Sequence, residues 1–145
     1  MTDGGYNMKK SFVALAIIFL AGCATSAVPL NQAKEAPKVR IFAYQDFVKN
    51  GATLTVVRDK GFLGGGCFYG LYVNKERVAS LDTGEKVNLQ LSPGEWMIGF
   101  KGEGKACISD ETITEREIML KSNQHKAVRL FADPSGNIDI KPVSI

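Results

Sequence analysis

The alternation of apolar and polar residues in short segments is the feature that most constrains the fold of this chain. Its clearest example is the pentapeptide VNLQL at residues 87–91. Because successive side chains of a β-strand point to opposite faces, this pattern predicts a strand with one packed face and one solvent-exposed face. Similar segments recur roughly every eight to twelve residues, and turn-forming residues such as Gly, Pro, Asn and Asp stand between them.

The number and spacing of these segments favour an all-β fold. Roughly eight of them lie between residues 39 and 145. No segment in this region sustains an apolar helical period. The sequence therefore predicts a small antiparallel β-sandwich domain of about seven or eight strands over residues 39–145.

The first 22 residues are typical of a secretory signal peptide. Residues 8–10 (MKK) are basic, residues 11–20 (SFVALAIIFL) are almost wholly apolar, and the run ends in LAGC at residues 20–23. A membrane-spanning helix needs about 20 apolar residues, so this run is too short to be an anchor by itself. Residues 1–22 are therefore excluded from the fold.

The LAGC ending resembles the lipobox of bacterial lipoproteins. The resemblance implies that the chain is cut before Cys23, that the Cys23 sulfur carries lipid, and that the new amino group is acylated. More than one acyl chain holds a protein stably on a membrane. Because Ala24 rather than Asp follows, the resemblance also implies the outer membrane of a Gram-negative host, on its periplasmic face. From the residues alone, a buried N-terminal helix with an incidental cysteine is the alternative.

Residues 23–38 (CATSAVPLNQAKEAPK) are small, polar and interrupted by proline, and their apolar residues show no period. They are expected to form a flexible tether between the lipid and the domain, with a short strand near Val28 as the alternative. The 123 residues that follow the signal peptide are enough for one domain. Their net charge of +2 comes from singly scattered residues, so nothing indicates a nucleic-acid partner.

Two cysteines remain once Cys23 is assigned to lipid. Cys67 and Cys107 form an even pair in an exported domain and are interpreted as a disulfide. Closing a loop of about forty residues stabilises a fold by roughly 4 kcal/mol in the chain-entropy model. The alternatives are a metal site and a catalytic cysteine, but His125, expected in a solvated turn, is the only histidine to serve either. We expect neither a metal nor a cofactor.

The glycine-rich stretch GFLGGGCFYG at residues 61–70 raises the question of a phosphate-binding loop. Counted from Gly64 and Gly66, the third glycine of a dinucleotide motif falls at Tyr69, and an alternating strand follows instead of a helix. The stretch is therefore interpreted as a connection between strands. Phe62 and the leucine after it, at the tip, would either cap the core or contact a partner.

No arrangement of residues predicts catalysis, so we expect a protein that is not an enzyme. The acidic residues are spread singly, and no Gly-x-Ser-x-Gly motif is present. Arg58 and Asp59, at a strand end, are interpreted as a local charge pair. Four aromatic residues are interpreted as core, with a binding platform as the alternative: Tyr69, Tyr72, Trp96 and Phe100.

Residues 54–100 resemble small bacterial lipoproteins of unknown function with a PEGA-like, immunoglobulin-like β-sandwich. The resemblance rests on Arg58, on the turn at 73–75, on V-A-x-L-x-x-G-E at 78–85 and on Pro93-Gly94. It implies an exported structural or interaction module that engages an envelope protein or peptidoglycan, with no catalytic residues to transfer. A periplasmic binding or inhibitor lipoprotein, of the lysozyme-inhibitor type, is the second hypothesis, and a hydrolase is the third.

Overall fold

The computed structural model describes residues 26–61, 66–104, 112–133 and 135–145. The described residues form nine strands and one 3₁₀ helix, Lys38–Arg40. The strands are β1 (Lys34–Glu35), β2 (Ala52–Arg58), β3 (Phe68–Val73), β4 (Glu76–Leu81), β5 (Glu85–Leu91), β6 (Gly94–Glu103), β7 (Thr114–Leu120), β8 (His125–Ala132) and β9 (Ile138–Val143). The predicted all-β class is confirmed.

Two sheets pack face to face as a β-sandwich, as predicted. The five-stranded sheet has the order β1-β5-β2-β8-β9, and the four-stranded sheet has the order β4-β3-β6-β7. Most neighbours are antiparallel, but β1 pairs with β5, and β2 with β8, in parallel. The parallel pairs arise because the chain changes sheet after β2, β4, β5 and β7. A strand's neighbour in its sheet is therefore often distant in the sequence.

The core consists of the side chains that point between the two sheets. In β5, Val87 and Leu89 are fully buried, whereas Asn88 and Gln90 are partly exposed, which confirms the predicted alternation. The facing sheet contributes residues such as Phe100, which is also buried. Burial of one large apolar side chain stabilises a fold by about 1.5–3 kcal/mol, so this core holds the sheets together.

The connections between strands lie at two opposite ends of the sandwich. We call one the glycine-loop end; it includes residues 59–61, 82–84 and 135–137. We call the other the hairpin end; it includes residues 74–75 and 121–124. Asn74 and Lys75 both have positive φ, at 49° and 70°, as a two-residue type I′ hairpin requires.

Residues 26–33 pack against the outer face of the five-stranded sheet, and residues 34–36 continue along its edge, where β1 pairs with β5. Val28 and Ala33 lie against Val57, which is fully buried although it points away from the core between the sheets. Apolar contacts therefore hold this segment against the sheet, although its composition is typical of a linker. The tether expected over residues 23–38 is wrong for residues 26–38, and its first three residues lie outside the described part of the chain.

The next segment, residues 38–45, lies along β4, an edge strand of the four-stranded sheet, and along the part of β5 that the short β1 leaves unpaired. The Phe42 N–H donates to the Val78 carbonyl of β4 at 2.8 Å. The Gln90 N–H of β5 donates to the Tyr44 carbonyl, also at 2.8 Å. Because uncovered edge strands pair readily with other chains, this segment protects that side from such pairing.

Replacing Val28 by Asp should release the packed N-terminal segment. The change removes a buried apolar side chain, whose burial stabilises the packed segment by roughly 2 kcal/mol. It also places a second carboxylate near that of Asp59. Trypsin should then cut after Lys34 faster than in the unaltered protein. Ala27→Asp is the matched control, because Ala27 is exposed. Equal cleavage rates in the two variants would contradict the observed packing.

Candidate functional site

The structure describes one of the three cysteines to which the sequence assigns a role. Cys67 is buried at the glycine-loop end, directly before β3. Cys23 and Cys107 lie outside the described residues. Lipid attachment and the disulfide therefore stay predictions.

Arg58 ends β2 with its side chain inside the sandwich, where 1% of the residue is exposed. Its Nη1 donates to the carbonyls of Cys67 at 2.6 Å and Leu81 at 2.8 Å. Its guanidinium carbon lies 3.7 Å from the centre of the Tyr69 ring, a cation–π contact. Burial lowers the pKa of Arg58, and the nearby Tyr69 side chain opposes that change. This buried cation therefore links the end of β2 to the residue before β3 and to the last residue of β4 in the facing sheet.

Asp59 points to the opposite face of the chain and does not pair with Arg58. Its Oδ2 lies 2.8 Å from Nη2 of Arg129 in β8, with 3% of the Asp59 side chain exposed. Neither carboxylate oxygen accepts a well-aligned hydrogen bond from a described residue. The predicted local pair is wrong, because successive residues of an extended chain point to opposite faces.

The buried Asp59 carboxyl should make stability depend on pH. Burial raises its pKa, against the opposing effects of the Arg129 charge and the Val28 amide. A carboxyl whose pKa is higher in the folded state stabilises fully below its unfolded pKa, and that contribution is lost as pH rises through the folded pKa. The unfolding free energy of the unaltered protein minus that of Asp59→Asn should therefore fall as pH rises above about 4.

Urea titrations of both proteins between about pH 4 and pH 7 measure this difference. The two proteins share every other acidic group, so subtraction isolates Asp59. A difference that increases with pH would show that the pKa of this carboxyl is lowered by folding.

A cavity of about 10 Å³ lies at the glycine-loop end, lined in part by Arg58, Tyr69 and Thr83. A cavity of this size holds about one water molecule. The described residues that line this cavity leave it too small for a substrate.

His125 is exposed and begins β8, rather than lying in the turn where the sequence placed it. Its Nε2 lies 2.8 Å from Oγ1 of Thr55, and this hydroxyl donates to Oδ1 of Asn88 at 2.6 Å. Because the hydroxyl proton goes to the amide oxygen, the imidazole N–H donates to the hydroxyl. This is the reverse of a nucleophile and its base, so the three side chains form a structural ladder.

Five side chains form a cluster on the outer face of the four-stranded sheet, which we call the outer-face cluster: Phe42, Tyr72, Arg77, Ser80 and Glu103. Arg77 donates to both oxygens of Glu103, and the Ser80 and Tyr72 hydroxyls donate to the same carboxylate at 3.3 and 3.4 Å. The Arg77 guanidinium carbon lies 4.6 Å from the centre of the Phe42 ring. Burial and the Glu103 charge raise the pKa of Tyr72, so its hydroxyl remains a donor.

The sequence did not reveal this cluster, because Arg77 and Glu103 lie 26 positions apart. One signal was available in Gly70, which interrupts an alternating strand. A glycine inside a strand often marks a close approach of another group. Here a Cβ on Gly70 would collide with the Glu103 carboxylate.

The four aromatic residues singled out in the sequence do not form one platform. Tyr69 and Phe100 pack together toward the core with ring centres 5.1 Å apart. Trp96 packs against the core and meets Tyr44 edge to face at 5.7 Å. Tyr72 alone belongs to the outer-face cluster. The interpretation as core residues is confirmed for the other three.

Among the described residues, no group of three or more His, Cys, Asp or Glu side chains is placed to hold a metal ion. The same residues include no helix with the length and apolar character needed to cross a bilayer.

No protein-family profile matches the chain, and no curated protein is significantly similar to it in sequence. The resemblance to PEGA-like lipoproteins therefore stays a prediction.

Proposed function

We propose that this protein is a lipoprotein held to a bacterial membrane through Cys23, whose β-sandwich acts as a non-enzymatic interaction module of the cell envelope. One observation carries the proposal. Basic residues, a short apolar run and LAGC follow one another over residues 9–23, directly ahead of a domain that is packed from Ser26 onward. Because Ala24 follows the cysteine, the proposed location is the periplasmic face of the outer membrane.

The outer-face cluster supports the interaction role. Its Phe42 is 48% exposed and is stacked with Arg77. Phe68, on the same sheet, is 40% exposed beside Arg40. Aromatic and arginine side chains are enriched where proteins bind one another, and they supply most of the binding energy there.

Mass spectrometry of the mature protein tests the anchor. We expect an N-terminal peptide that begins at Cys23, carries a lipid group on its sulfur and carries an acyl chain on its amino group. A mature protein that retains residues 9–22 would contradict the proposal.

In-cell crosslinking tests the interaction role. A photo-crosslinking residue at Phe42 should capture an envelope protein or peptidoglycan, and the same residue at Lys75, outside the outer-face cluster, should not. Equal capture at both positions would argue against a specific surface. Inhibition of lysozyme by the purified protein would instead favour an inhibitor lipoprotein.

A further inference from the structure

The packing of residues 26–37 leaves very little chain between Cys23 and the sandwich. Ser26 is already bonded to the domain, because its N–H donates to the Lys60 carbonyl at 2.8 Å and the Lys60 N–H donates back at 3.1 Å. Ser26 stands three positions after Cys23. Three fully extended residues span about 10 Å. Cys23 can therefore lie no more than about 10 Å from the glycine-loop end.

We infer that the glycine-loop end of the sandwich rests on the surface of the bilayer that holds the lipid of Cys23. This inference rests on the proposed lipid anchor. Each interfacial layer of a bilayer, between hydrocarbon and bulk water, is roughly 5–8 Å thick. A link of this length therefore does not carry the domain clear of the lipid headgroups. The partner that the glycine-loop end contacts is therefore a lipid surface.

The exposed groups at this end suit lipid headgroups. Lys60 is exposed, and its stem lies over Gly84, where a Cβ would come within 2.8 Å of the Lys60 Cε. Lys34 is also exposed, and its N–H donates to the Gly84 carbonyl. Neither lysine forms an ion pair with a described residue. Each lysine near an anionic bilayer contributes about 1 kcal/mol of attraction, and the carboxylates of Asp82 and Asp133 at the same end oppose it.

The same geometry fixes what faces away from the membrane. The strands run between the two ends, and seven residues, the length of β2, span about 23 Å. The hairpin end therefore points away from the bilayer. The outer-face cluster lies on a side of the sandwich, where a partner that is itself at the membrane surface can reach it.

Fluorescence quenching in vesicles tests this orientation. The full chain, matured and lipidated, receives a maleimide fluorophore at Ser135→Cys, at the glycine-loop end, or at Ser122→Cys, at the hairpin end. Both serines are exposed, and the Ser122 hydroxyl also donates to the Asn50 carbonyl at 2.9 Å. The vesicles contain phosphatidylethanolamine, phosphatidylglycerol and a lipid with a nitroxide on its headgroup. The chain with neither change gives the background labelling.

We expect several-fold stronger quenching at position 135 than at position 122. Insertion of about twenty Gly and Ser residues between Ala24 and Thr25 should abolish the difference, because such a linker has a root-mean-square reach of about 25 Å. Equal quenching of the two labels in lipidated, vesicle-bound protein would overturn this inference alone. Protein whose mass shows no acyl chain on Cys23 would overturn the proposed anchor, and the bilayer contact with it.

Discussion

A protein in which Cys23 is replaced by Ser should leave the membrane fraction, or should stay uncut with residues 1–22 attached. The thiolate is the nucleophile that forms a thioether, and a hydroxyl does not replace it. Each methylene of an acyl chain contributes about 0.8 kcal/mol to membrane binding, so loss of the chains removes nearly all affinity for the bilayer. Fractionation of cells and the mass of the mature protein measure the effect.

Ala24→Ser is the control for this experiment. It introduces the same hydroxyl one position later and keeps the Cys23 thiol, so the protein should remain in the membrane fraction. If Cys23→Ser showed unchanged fractionation and an unchanged mature mass, the lipoprotein proposal would fail.

Replacing Arg58 by Ala should lower the free energy of unfolding by roughly 2–4 kcal/mol. The change leaves the buried carbonyls of Cys67 and Leu81 without their guanidinium donor, removes the cation from the Tyr69 ring, and opens a cavity. Small domains have only about 5–15 kcal/mol of stability in total. The midpoint of urea unfolding should therefore shift to a clearly lower concentration.

Arg116→Ala is the matched control, because Arg116, like Arg58, is an arginine in a strand. It pairs with Asp139 at 2.8 Å, but 59% of its side chain is exposed. Exposed ion pairs contribute little, so its midpoint should stay close to that of the unaltered protein. Arg58→Lys should lie between the two, because an ammonium lacks the planar donors of guanidinium. Equal midpoints for Arg58→Ala and Arg116→Ala would contradict the structural role of Arg58.

The sandwich was predictable because alternation is a local property. The pattern at residues 87–91 identifies which side chains are buried before any partner strand is known. The packing of residues 26–37 was not predictable, because Val28 and Ala33 show no period by themselves. They are buried because they pack on Val57, which points to the outer face of the five-stranded sheet. The alternation within a strand does not show which segment of the chain covers that face.

The surroundings of Arg58 show the same limit. A charged residue at the end of an apolar strand is usually interpreted as the point where the chain reaches solvent. Here the acceptors that permit its burial are the carbonyls of Cys67, directly before β3, and of Leu81, the last residue of β4. Their positions depend on how the two sheets stack, and no local pattern in the sequence predicts that stacking.

The parallel pairing of β2 with β8 has a consequence for how this chain folds. The two central strands of the five-stranded sheet join residues about 70 positions apart, as the Thr55–His125 contact shows. Loops of that size close late and make folding slow. The five-stranded sheet cannot form completely until β8 and β9, in the last third of the chain, have been synthesised and have reached β2. The proposed export would therefore act on a chain whose five-stranded sheet is still incomplete.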